Sequence, residues 1–207
     1  MISVILTLSY KNVSGYKMLL KTTPLLLCIL NVCLAGDIIE DLEEGECKVY
    51  SSCASCLTSE SCTWCVTKSR CTRQACGNDN VIYPSGVPAL MSGPDFCPRV
   101  DGSKPFILKS GRKHILEVMI TQIYLYMAFT PWKCKISLNG KEDIVPAVLT
   151  ANKVYCESME FVNDSEEPYM QGSVAVMWNY NKAFDGSVPI KVCRCDLALD
   201  CTACRNK

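Results

Sequence analysis

Between Trp132 and Leu138 the chain alternates. Trp132, Cys134, Ile136 and Leu138 fall on one side, and Lys133, Lys135 and Ser137 on the other. A period of two with one polar face predicts a half-buried strand. Asn139-Gly140 follows at once, a dipeptide that favours a two-residue hairpin because both positions tolerate positive φ. Further strands are predicted over residues 115–126, 144–149, 154–161, 173–178 and 188–192. Several short strands with turns between them predict an all-β sandwich of about 90 residues. Trp132 and Trp178 lie on the apolar faces of their strands and are expected inside. Cys134 and Cys156 are the only cysteines within these strands, so a single bridge between two of them is predicted.

Ahead of residue 104 the pattern differs. No period holds between residues 47 and 97, and cysteine replaces the aliphatic core. Cys47, Cys53, Cys56, Cys62, Cys65, Cys71, Cys76 and Cys97 crowd a segment too short to bury a sufficient core of its own. An even, dense set of this kind reads as a disulfide framework, for which spacing alone leaves roughly a hundred pairings. Trp64 is the expected apolar filler. A four-cysteine zinc site separates its two pairs by roughly 15–20 residues, whereas five residues lie between Cys56 and Cys62. A redox C-x-x-C needs a helix start within a βαβ unit, and none surrounds Cys62. Asn78 to Gly93 is rich in turn residues and reads as a surface loop closed by Cys97.

The other apolar run lies at the start. Lys21, the apolar residues 24–34 and Cys33-Leu34-Ala35 make a basic, apolar and small-residue sequence over 18–36, the pattern of a secretory signal peptide. The run is shorter than the ~20 residues that span a bilayer. Met18 is the natural start of such a signal, which leaves residues 1–17 as an upstream extension. Residues 37–46 read as an acidic linker. Secretion agrees with sixteen cysteines in 207 residues, far above cytosolic usage. With 21 basic and 21 acidic residues the chain has no net charge, which argues against a nucleic-acid surface.

The end repeats the beginning. Cys195-x5-Cys201-x2-Cys204 has the spacing of Cys47-x5-Cys53-x2-Cys56, so residues 195–207 read as the start of a second cystine module, and the chain as a piece of a tandem array.

These residues carry a family resemblance. The stretch from Cys47 to Cys97, with Cys62-Thr63-Trp64-Cys65, Cys71-Thr72 and Cys97-Pro98, resembles the PSI domain of plexins, semaphorins and integrins. Residues 104–194 resemble an IPT (TIG) domain of the plexin type in Trp132-Lys133-Cys134, Val145-Pro146-Ala147, Val154-Tyr155-Cys156 and Val176-Met177-Trp178-Asn179. The resemblance implies a small disulfide-rich, cystine-knot-like PSI module over 47–100, followed by an immunoglobulin-like sandwich. It implies the pairs Cys47–Cys62, Cys53–Cys97, Cys56–Cys71 and Cys65–Cys76. It implies an extracellular spacer whose parent receptor sits at the plasma membrane and meets semaphorin-type ligands through other domains. The alternative is a short secreted decoy or adhesion module. In the family's pairing, Cys195, Cys201 and Cys204 lack their partners. They and Cys193 are therefore expected to be unpaired, with residues 193–207 poorly ordered and the chain prone to cross-linking. Cys193 departs from the family pattern, where tyrosine is usual.

No catalytic, cofactor or metal set emerges. His114 is the only histidine and is expected to be exposed; a Cys–His pair would need a free thiol close to it, and in an oxidising compartment most thiols should be bridged. Ser110-Gly111-Arg112-Lys113 fits S-x-x-K without its partner motifs. Lys109, Arg112 and Lys113 read as a solvated strand end in preference to a patch for a sulfated glycan. Asn163-Asp164-Ser165 is a sequon expected on a surface turn.

Overall fold

Residues 45–48 are helical, and Ser52 then caps a second short helix. Ser52 Oγ accepts from Ser55 N–H at 3.2 Å while Ser55 Oγ accepts from Ser52 N–H at 3.3 Å, a reciprocal cap on the short helix α1, Cys53–Cys56. The computed structural model describes residues 45–74, 76–77 and 80–205. The predicted signal, and most of the acidic linker, lie outside the described residues.

After α1 come β1 (Thr63–Cys65), β2 (Arg70–Thr72) and β3 (Val81–Ile82), with β1 central and antiparallel to both neighbours. Trp64 faces Cys71 across one ladder and Ile82 across the other, and is buried. Around this small sheet the structure pairs Cys47 with Cys62, Cys53 with Cys97, Cys56 with Cys71 and Cys65 with Cys76. The bridges tie α1 to β2 and to the residue before Pro98. They supply the cross-links that so small a core needs.

The chain then builds the sandwich from β4 (Arg99–Val100), β5 (Phe106–Lys109), β6 (Arg112–His114), β7 (Glu117–Thr121), β8 (Trp132–Leu138), β9 (Lys141–Thr150), β10 (Lys153–Cys156), β11 (Met159–Phe161), β12 (Tyr169–Trp178), β13 (Lys182–Ala183) and β14 (Val188–Cys193). The main sheet runs β4-β7-β10-β9-β8-β12-β14-β5, with β13 beside β12, and only the β14–β5 pair is parallel. Ala147 is the register partner of Trp132 on one side and of Cys156 on the other. There β9 passes from one layer to the other, and Cys134–Cys156 joins β8 to β10 across the core. Val118, Ile136, Val154, Val174, Val176, Ile190 and Val192 fill the space between, all fully buried. The predicted hairpin forms, with Asn139 at φ 47° and Gly140 at φ 78°.

Two predicted strands are shorter than their apolar runs. The run over 115–126 yields only β7, because Gln122 turns left-handed (φ 57°) and Leu125–Phe129 winds into a 3-10 turn that buries Met127. The run over 154–161 breaks after Cys156. Glu157 N–H donates to Pro146 O at 2.8 Å, and β11 leaves to pair with β6. β5 and β6 themselves carry too weak an alternation to be predicted. Trp132 and Trp178 are both buried.

Beyond β14 the chain folds back. Leu197 and Ala198 N–H both donate to Arg194 O, and a one-turn helix α2, Thr202–Arg205, closes the described tail.

Candidate functional site at the joint between the modules

Asp185 follows β13 and makes four hydrogen bonds that reach back to the cystine module and its exit. Its Oδ1 accepts from Cys53 N–H at 3.1 Å and its Oδ2 from Ala54 N–H at 2.7 Å. Its own N–H donates to Pro98 O at 2.9 Å, and its carbonyl accepts from Val100 N–H at 2.8 Å. A helix start leaves its first N–H groups without partners. Here Ser52 Oγ takes that of Ser55, and Asp185 takes those of Cys53 and Ala54. One carboxylate from the sandwich therefore completes helix α1 of the cystine module.

Other contacts surround this one. Lys182 Nζ donates to Thr67 O while lying 4.7 Å above the Trp178 ring. Tyr124 O–H donates to Phe96 O at 3.0 Å, and its phenol pKa is raised by burial. Trp132 Nε1–H donates to Met127 O at 3.1 Å, which holds the 3-10 turn in place. Trp64, Val66, Pro98, Met127, Trp178 and Asp185 line a cavity of about 10 Å³, the lower limit for a single water. That cavity at the joint is too small for anything larger than a water.

Burial raises the Asp185 carboxyl above its ordinary pKa, and the two N–H donors oppose that rise. Cys53, Cys97 and Asp185 lie close enough to resemble a metal cluster. The two sulfurs are bonded to each other, and a disulfide sulfur is not the thiolate that metals bind. Nothing in the sequence marks Asp185, since Asp-Gly between two strands reads as an ordinary turn.

The remaining sequence-predicted residues divide as follows. Cys134 and Cys156 are bonded to each other. Four cysteines expected to be unpaired are not: Cys193 bonds Cys201 and Cys195 bonds Cys204. The reversal at Arg194 brings the later cysteine of each pair back to the earlier, which linear spacing does not reveal. Described backbone runs to residue 205, so the expectation of a poorly ordered, cross-linking tail is corrected, and unpaired thiols no longer support the fragment reading. Asn163 does sit in a surface turn, with residues 162, 164, 166 and 167 exposed, but its own side chain is buried, with Nδ2 donating to Glu167 O at 3.0 Å and Oδ1 accepting from Ser165 N–H and Ser165 O–H. A glycan on Nδ2 requires this turn to open. His114 is half-buried with its Nε2 3.3 Å from Lys109 O, while Arg112 and Lys113 are exposed on β6.

Among the described residues no helix is long and apolar enough to cross a membrane. Comparison with known proteins matches residues 46–85 to the plexin repeat (PSI) and residues 104–193 to the TIG domain found in plexin. No curated protein matches the chain. Two solved structures of the plexin A4 full extracellular region share its fold. One comprises domains 1 to 8 and superposes with a TM-score of 0.57 at 19% identity, covering 72% of this chain and 16% of that one. The other comprises domains 1 to 10, with a TM-score of 0.56, 19% identity and coverage of 72% and 13%. The chain thus spans only 16% and 13% of the length of these two structures.

Proposed function

The chain belongs to the plexin family as a PSI repeat followed by a TIG domain, and on that premise we propose that it serves as a rigid, disulfide-braced spacer in the extracellular part of a plexin-like receptor. The observation that carries this reading is the Asp185 carboxylate bonded to both Cys53 and Ala54 N–H groups. A linker that only tethers two modules needs no such bond. A spacer that sets a direction does.

The surrounding chemistry supports the same role. Three independent polar contacts join the modules, from Asp185, Lys182 and Tyr124, and bridges brace each body internally. The spacer transmits position between neighbouring parts of a receptor and performs no reaction. A semaphorin-type ligand would engage other domains of such a receptor, at an orientation that this segment maintains. Secretion through residues 18–36 and the boundaries 47–100 and 104–194 belong to the same proposal.

Small-angle scattering of the purified chain tests it. A single rigid body should fit the wild-type profile, and Asp185→Ala should need an ensemble of inter-module angles. A wild-type profile that itself needs a broad ensemble would remove the spacer role.

A further inference from the structure

Seven bridges join the fourteen cysteines of the described residues, and twelve of those cysteines are buried. Cys195 and Cys204 are the two that reach solvent. Thiol–disulfide exchange requires a thiolate to approach one sulfur in line with the bond, so access decides which bridge reacts first. We propose that Cys195–Cys204 is a thiol-exchange site, opened selectively by a small thiol of the glutathione class.

The inner bridge of the same tail sets the contrast. Cys193 ends β14 and Cys201 packs with it against Ala198 and Tyr169, both sulfurs shielded. Backbone bonds from Leu197 and Ala198 to Arg194, and from Cys201 to Ala198, keep that turn closed without help from the outer bridge. Arg205, exposed and next in sequence to Cys204, adds a cation where an anionic thiolate must arrive. The outer bond can therefore break while the inner one persists.

The step balances with two thiols. A thiolate attacks Cys204 Sγ, forming a mixed disulfide, while the bond to Cys195 breaks and Cys195 leaves as a thiolate that takes a proton from water. A second thiolate attacks the mixed disulfide at the small thiol's sulfur. It releases Cys204 as a thiolate, which takes a proton from water, and the two small thiols as their own disulfide. Two thiols are oxidised and one protein disulfide is reduced. The consequence is local. α2 lies against β5, the terminal strand of the main sheet, and once the outer bridge opens it is held there by the Cys193–Cys201 bridge, the Tyr169 O–H bond to Asp200 and the packing of Ala203, with one covalent tether fewer. An uncovered strand edge offers unpaired backbone groups to another chain.

The test is native-state reduction of the full chain with reduced glutathione at neutral pH, acid quenching, alkylation with iodoacetamide and peptide mass mapping. Two labelled cysteines, Cys195 and Cys204, are expected at least about tenfold sooner than any other, since a buried bridge must wait for local opening. Amide exchange over residues 106–109 should speed up in the same sample. Labelling of any other bridge as early, or unchanged exchange once Cys195 and Cys204 are labelled, overturns the proposal. A Cys195→Ser/Cys204→Ser variant provides the control. It should release no thiols under the same conditions, and release at the wild-type rate would contradict the assignment.

Discussion

Asp185 Oδ2 accepts the backbone N–H of Ala54 at 2.7 Å across 131 residues of chain. With the 3.1 Å bond from Cys53 to the other oxygen, it makes the N-terminus of α1 depend on a residue of the sandwich. The two modules are coupled through a helix start, where backbone donors have no partners of their own.

Removing that carboxylate should be felt in both modules. Asp185→Ala leaves the N–H of buried Cys53 without an acceptor, while exposed Ala54 finds water. The expected loss is about 1–3 kcal/mol, toward the lower end because only one donor is shielded. Asp185→Asn keeps one acceptor and should fall between. Urea unfolding with the bridges intact measures both, and an unchanged midpoint for Asp185→Ala would show that the clamp contributes nothing.

The same group gives a pH dependence of defined sign. Its folded pKa is raised, first by burial, so the folded chain holds this proton more firmly than the unfolded chain. The stability it contributes is full below the ordinary carboxylate range and is lost as pH rises through the raised value. The advantage of the wild type over Asp185→Asn should therefore shrink as pH rises through that window. Taking the difference removes the exposed carboxylates Asp101, Glu117 and Glu142, whose pKa values move the other way. An advantage that grows with pH would mean that the two N–H bonds outweigh burial.

Trp64, Trp132 and Trp178 are 4%, 6% and 3% exposed, so iodide should barely quench the folded chain's indole fluorescence. Unfolding and reduction should restore full quenching. Strong quenching of the native chain would place at least one indole outside. Trp178 also meets Tyr126 in a tilted ring contact and lies beneath Lys182, and its replacement by Ala should destabilise the fold by roughly 3–5 kcal/mol.

Gly172 is required by a close approach between strands. A Cβ there would sit 2.4 Å from Leu138 Cδ2 and 2.4 Å from Ser137 O, and the second atom belongs to backbone that cannot swing away. Gly172→Ala should cost about 1–3 kcal/mol, visible as a lowered thermal midpoint. A wild-type midpoint would mean that β8 and β12 separate freely.

Local chemistry was legible where it acts on neighbours in sequence. Alternation along Trp132–Leu138 and the positive-φ pair Asn139-Gly140 are short-range features, and both appear as read. The plexin-like motifs identified the two modules in order. What escaped was set by contacts distant along the chain or by reversals that spacing does not encode. The tail cysteines pair because the backbone doubles back at Arg194, and the repeat of the opening triad pointed instead to missing partners. Asn163 carried a surface motif but serves as the buried centre of its own turn. Asp185 had no motif, since its partners come from α1 and from the chain around Pro98.

If the two modules form one rigid body, a pulsed electron-resonance measurement will show one fixed distance between labels on exposed Glu60 and Glu166, attached through non-canonical residues so that the bridges stay intact. A single narrow distance distribution is predicted for the wild type, with broadening in Asp185→Ala. A broad or multimodal wild-type distribution, unaltered by Asp185→Ala, would contradict the rigid body.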